Sequence, residues 1–94
     1  MDAMTCRRVA EFVGVLANPH RIAILCCLFD QERSVGEIGA IVDLPSAHVS
    51  AHLRVLYDRG YLERRREWKQ VFYSLRDPAI RAILDGAAGL VRGT

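Results

Sequence analysis

The chain lacks any apolar run long enough to cross a bilayer. Its longest, from Ile22 to Phe29, falls far short of the ~18–20 residues a membrane helix needs. Arg7 and Arg8 near the start are followed by no apolar stretch with a small-residue cleavage site. No secretory leader and no membrane partner are therefore expected, and the expected compartment is cytoplasmic. Cysteine is scarce: the 94 residues include three, Cys6, Cys26 and Cys27. An odd count with two neighbours does not make the disulfide framework of a small secreted domain, and a Cys26–Cys27 bond within a helix would be strained. A large charge of one sign is also missing. With a net charge of only +2, nucleic-acid binding has to be argued from where the charges sit. The sequence holds no Ser/His/Asp or Cys/His arrangement, no phosphate-binding glycine loop, no Cys-x-x-Cys and no metal-ligand set. No enzymatic activity, no cofactor and no metal site are expected. There are no repeats, low-complexity stretches or linkers, which leaves a single domain over residues 1–94.

What the chain does have is apolar content, 51% of residues, and legible helix punctuation. Half-apolar composition supports a core, but a domain this small buries only about 60–65% of its unfolded surface. Association of subunits would help it. Thr5 to Ala17 sets Val9, Phe12, Val13 and Leu16 on one helical face. Asn18-Pro19 ends that helix and caps the next, expected to run to about Asp30. There Ile22, Leu25, Cys26 and Phe29 share one face and Ile24 and Leu28 another, the pattern of a central helix. In this reading Cys26 packs inward as a small hydrophobe and Cys27 points away as the exposed thiol. Ser34-Val35-Gly36-Glu37 reads as a capping box, opening a short helix with Ile38, Ile41 and Val42 inward. Asp43-Leu44-Pro45 breaks it. A fourth helix, from about Ser46 to Arg59, buries Val49, Leu53 and Leu56 and stops at Gly60. Tyr61–Arg66 and Gln70–Leu75 are strand-like. Glu67-Trp68-Lys69 between them lacks the Asn-Gly of a tight turn, so a longer loop is expected. Asp77-Pro78 begins a last helix with Ile80, Ile83, Leu84 and Leu90 apolar. The fold class is mainly α with a β-hairpin, a winged helix-turn-helix in the order α-α-α-α-β-β-α.

In such a unit the second helix of the pair enters the major groove of double-stranded DNA. With Val49, Leu53 and Leu56 inward, Ala47, Ser50, Ala51, Arg54 and Asp58 face out, flanked by Ser46, His48 and His52. Small Ala and Ser side chains allow close approach, and Ser, His and Arg can donate to bases or phosphates. An ordinary solvated face is the competing reading. The hairpin adds Arg64, Arg65, Arg66 and Lys69, with Arg59 before it, against only Glu63 and Glu67. This suits phosphate contacts or insertion of Arg into a minor groove, the alternative being an edge strand kept soluble by charge. Alternation puts Arg64 and Arg66 on one face and Arg65 on the other. Arg65, Lys69 and Gln70 are the expected wing contacts. His48 and His52 are spaced to meet one ion, but two ligands are not a metal site. A winged-helix module that binds protein instead of DNA is the alternative from another class.

Leu16-Ala17-Asn18-Pro19-His20-Arg21-Ile22-Ala23-Ile24-Leu25, Ser34-Val35-Gly36-Glu37-Ile38, Val49-Ser50-Ala51-His52-Leu53-Arg54-Val55-Leu56 and Lys69-Gln70-Val71-Phe72-Tyr73-Ser74-Leu75 together resemble the arsenic-repressor (ArsR/SmtB) family over about residues 9 to 84. The resemblance implies a homodimer joined through the first and last helices. It also implies an operator-binding repressor, released by a metal ion, metalloid or reactive sulfur species. This chain departs from the family pattern in places. Pro45-Ser46 follows Leu44 where the family has Ser-Gln or Ser-Pro. Ser34 and Gly36 stand where the family's metal-thiolate cysteines would be, and no His lies between Asp77 and Thr94. The resemblance is closest to the sulfide- and redox-responsive branch, which pairs a cysteine at the position of Cys26 with one near the end of the last helix. That second cysteine is absent here, which leaves Cys6 as a substitute partner, or a regulator with no inducer site.

Overall fold

Local capping chemistry sets most helix boundaries in the computed structural model, which describes residues 1–93. Helix α1 (Ala3–Leu16) starts where the Asp2 side chain accepts the Thr5 N–H at 2.7 Å. Helix α2 (Pro19–Cys26) starts on Asn18, whose Oδ1 accepts from the Arg21 and His20 amides at 3.2 and 2.9 Å. Strand β1 is the short Arg33–Ser34 pair. Ser34 and Glu37 then form a reciprocal capping box at the head of α3 (Val35–Val42), with bonds of 2.9 and 3.2 Å. Helix α4 (Ser46–Asp58) follows Pro45, which offers no side-chain cap. Gly60 ends this segment at φ +84°, where a Cβ would be strained. Strands β2 (Leu62–Glu67) and β3 (Gln70–Leu75) form the hairpin. Asp77 accepts the Ala79 N–H at 2.9 Å to open α5 (Ala79–Arg92).

The sheet is antiparallel in the order β1-β3-β2. One core joins the elements. Val15 and Leu16 of α1, Ile24 and Leu25 of α2, Ile38 of α3, Val49, Leu53 and Leu56 of α4, Leu62 of β2 and Ile80 and Leu84 of α5 are all buried. The α4 residues sit at helical spacing and form a single inward stripe, as expected.

Several expectations need correction. Strand β1 was not expected; two residues are too few to show a period, and the pairing of Arg33 with Tyr73 and Ser34 with Phe72 is a tertiary event. The order is thus α-α-β-α-α-β-β-α. Helix α2 stops at Cys26 instead of Asp30, and its core face is Ile24 and Leu25, continued by Leu28. Ile22 and Cys26 face outward. Cys27 is half-buried against the core, and its Sγ donates to the Ile24 carbonyl oxygen at 2.9 Å. The two adjacent cysteines therefore exchange the roles their spacing suggested. Ile41 is exposed on α3. The hairpin closes through a two-residue turn, since Glu67 pairs with Gln70. Trp68 supplies the positive φ (58°) that such a turn requires.

Candidate nucleic-acid interface

Helices α3 and α4 meet across a tight turn at residues 43–45. Asp43 adopts a left-handed conformation at φ 56°, and the Leu44 N–H returns to the Gly39 carbonyl at 3.1 Å. A Cβ on Gly39 would lie 3.0 Å from the Leu44 carbonyl oxygen. Glycine at this position lets the turn fold back onto α3 and fixes the angle at which α4 leaves. No sequence signal marked Gly39, because the close approach arises only once α4 is packed.

On α4, the outward residues Ser46, Ala47, His48, Ser50, Ala51 and Arg54 are exposed. Arg54 has no hydrogen bond or ion pair among the described residues. His52 differs from them. It is half-buried, and its Nδ1 accepts a long hydrogen bond, 3.4 Å, from Arg21 Nε of α2. Its ring centroid is 5.8 Å from that of His20. Burial, then the charges of Arg21, His20 and His48, holds its pKa below the usual histidine value. Neutral His52 thus braces α4 against α2. No group of His, Cys, Asp and Glu among the described residues is arranged to hold a metal ion.

The hairpin sorts its arginines by face. Arg64 lies 4.0 Å over the Tyr57 ring of α4. With Arg66, Val71 and Tyr73 it lines an open cleft of about 370 Å³. Neither arginine has an ion pair among the described residues. Arg65 projects from the other face, 4.8 Å over the Phe72 ring. Its guanidinium pairs with Glu32 and, at 2.6 Å, with Glu67. Those carboxylates raise its pKa further, and the same contact lowers that of Glu32. Arg65 is exposed on that face, as expected, but its guanidinium is engaged by carboxylates of its own chain. Lys69 and Gln70 are exposed at the tip and border a shallow cleft with Ser34, Val35 and Gly36 at the head of α3.

Away from this face, apolar side chains stand in water. Met4, Val9 and Val13 on α1 and Ile83, Leu90 and Val91 on α5 are exposed. A groove of about 740 Å³ between α2 and α5 is lined by Ile22, Cys26, Phe29, Leu84, Ala88 and Val91. Partial desolvation at the groove wall, then Asp85, pushes the thiol of the otherwise exposed Cys26 up, and burial does the same for Cys27. Neither environment produces the lowered pKa of an activated thiolate. Among the described residues no single helix is long and apolar enough to cross a membrane.

A paired α3–α4 unit with a basic hairpin beside it defines a transcriptional regulator with a winged helix-turn-helix DNA-binding domain. Residues 18–64 match the family described as bacterial regulatory protein, arsR family. The chain is 37% identical to the transcriptional activator HlyU of Vibrio cholerae, over 83% of this chain and 72% of that protein. It is 42% identical to the biofilm growth-associated repressor of Agrobacterium fabrum, over 80% of this chain and 65% of that protein. Its fold superimposes on the homodimeric winged helix-turn-helix DNA-binding domain of Mb0332 from Mycobacterium bovis with a TM-score of 0.83, at 27% identity, covering 96% of this chain and 83% of that one. The chain belongs to the arsR family of bacterial regulatory proteins.

Proposed function

We propose that this protein is a homodimeric repressor that binds a palindromic operator and carries out no reaction of its own. The observation that carries this reading is the division of α4. Val49, Leu53 and Leu56 are fully buried, while Ser46, Ala47, Ser50, Ala51 and Arg54 are exposed, and Arg64, which overlies Tyr57 of the same helix, and Arg66 have no ion pair among the described residues. The small residues admit the helix to a major groove, with Ser50 and Arg54 as base readers. Arg64, Arg66 and Lys69 grip the adjoining backbone, which positions the protein without reading sequence. The exposed apolar faces of α1 and α5 supply the dimer contact, the arrangement expected to place two α4 helices on two half-sites. The homodimeric Mb0332 domain supports that assembly. The protein acts in the cytoplasm, where the operator lies. Any thiol-reactive inducer meets Cys6 and Cys26, both exposed, before Cys27.

The test is a salt titration of duplex binding. Each phosphate contact contributes about 0.9 to the slope of log K against log salt. A dimer carries each wing residue twice, so Arg64→Ala and Arg66→Ala should each flatten the slope by about 1.8, on specific and random duplexes alike. Arg65→Ala should leave the slope unchanged, because its charge is already matched by Glu32 and Glu67. A slope altered by Arg65→Ala and untouched by the other two would overturn this assignment of the wing.

A further inference from the structure

The tip of the hairpin presents a side chain that the phosphate-gripping role does not use. Trp68 is 92% exposed and occupies the first position of the two-residue turn, at φ 58°. It is the only tryptophan in the chain. Two features make it a poor choice for the free protein. A positive φ in a tight hairpin turn normally calls for glycine or asparagine. A fully hydrated indole is also the largest apolar surface a single residue can leave in water. Both unfavourable features are offset when the ring is taken out of water by a bound partner.

The setting of Trp68 indicates what that partner is. The ladder beyond β1, Arg66 with Val71 and Glu67 with Gln70, has no third strand beside it among the described residues, where β1 pairs with Phe72 and Tyr73. The tip therefore projects from the sheet. Arg66 Nε donates to the Trp68 carbonyl oxygen at 3.4 Å, tying the turn to the basic face. The nearby acid, Glu67, is paired with Arg65, so the charge left at the tip comes from Arg66 and Lys69. A cationic turn carrying one flat apolar ring complements a polyanion with stacked bases and deoxyribose walls. The tip also stands beside the head of α3, sharing a cleft with Ser34, Val35 and Gly36. In a helix-turn-helix, that first helix crosses the DNA backbone.

We propose that Trp68 is a DNA-contacting wedge. With α4 in the major groove, the hairpin tip enters the adjoining minor groove and the indole packs against its sugars or partly between two base pairs. Apolar wedges at minor-groove base steps are a general device of DNA-binding proteins. This placement rests on the DNA-binding reading above and adds a contact that is apolar rather than ionic.

The single tryptophan makes the test direct. The wild-type protein is titrated with duplexes of about 30 base pairs, long enough for two half-sites one helical turn apart. One duplex is selected from a random pool by the protein itself and one is unselected. Binding is followed by the anisotropy of a label on the DNA, and Trp68 by its emission and its quenching by acrylamide. Heparin serves as a polyanion without bases. Emission should fall and acrylamide access should drop in step with duplex binding, while heparin leaves both unchanged. Trp68→Gly should bind roughly a hundredfold more weakly, since the dimer loses two aromatic–base contacts, yet melt no lower than wild type because the turn is relieved. Trp68→Phe should keep most of the affinity. Duplex binding with unchanged emission and acrylamide access would overturn the placement and leave the DNA-binding reading intact. Equal responses to heparin and duplex would also overturn it, since charge alone would then explain the signal. A failure of every duplex to bind would overturn both readings.

Discussion

Val13→Glu should split the dimer into folded monomers and lower affinity for a palindromic duplex by about 10²- to 10⁴-fold, the range set by the loss of a linked second site. Val13 is 55% exposed, so it contributes little to the core of its own subunit. The adjoining inward stripe of α1 is held within the subunit. Phe12 meets Tyr61 edge-on at 5.0 Å, and Val15 and Leu16 are buried. In a two-fold interface every residue appears twice. The substitution therefore places two carboxylates in an apolar contact, where each must be desolvated without a partner. Sedimentation velocity and circular dichroism check it together. The expected result is a monomer with an unchanged helical spectrum. A dimer that persists at micromolar concentration would move the interface away from α1.

Leu53→Ala should cost about 2–5 kcal/mol of stability, the usual range for a fully buried leucine whose cavity cannot collapse. Leu53 lies between Val49 and Leu56 on the inward stripe of α4, and all three are fully buried. A small domain has only about 5–15 kcal/mol in total. The melting temperature should therefore fall by roughly 10–30 °C. The comparison is made at one protein concentration, because dimer melting depends on it. Ser50→Ala, on the outward face of the same helix, should melt within a few degrees of wild type and lose affinity for the specific duplex only. A Leu53→Ala loss below about 1 kcal/mol would be outside the range for core truncation and would mean that the helix had been oriented wrongly.

The features that were legible in the sequence are those decided by neighbouring residues. Asn18-Pro19, the Ser34 and Glu37 box and Gly60 act through local hydrogen bonds or backbone torsions, and each lies where its chemistry put it. The α4 stripe was equally clear, because that helix has only one apolar face. Helix α2 is apolar nearly all round, and periodicity cannot tell which face meets the core. Its last turn was also expected four residues too late, at Asp30 instead of Cys26. That is why Cys26 and Cys27 exchanged places. In the wing, alternation separates the arginines, and one core residue decides which face they take. Strand alternation puts Arg64 and Arg66 on the side of Leu62, and burial of Leu62 turns that side towards α4. The pairing of Arg65 with Glu32 spans 33 positions, and no local pattern could reveal it.

Selection of bound sequences from a random duplex pool, followed by measurement of how many chains bind the selected duplex, tests the central claim most directly. A dimer that reads DNA through α4 predicts an inverted repeat whose half-sites are about 10–10.5 base pairs apart, or a multiple of that turn, with two chains bound per duplex. Enrichment of no sequence, or a lone half-site saturated by one chain, would contradict it.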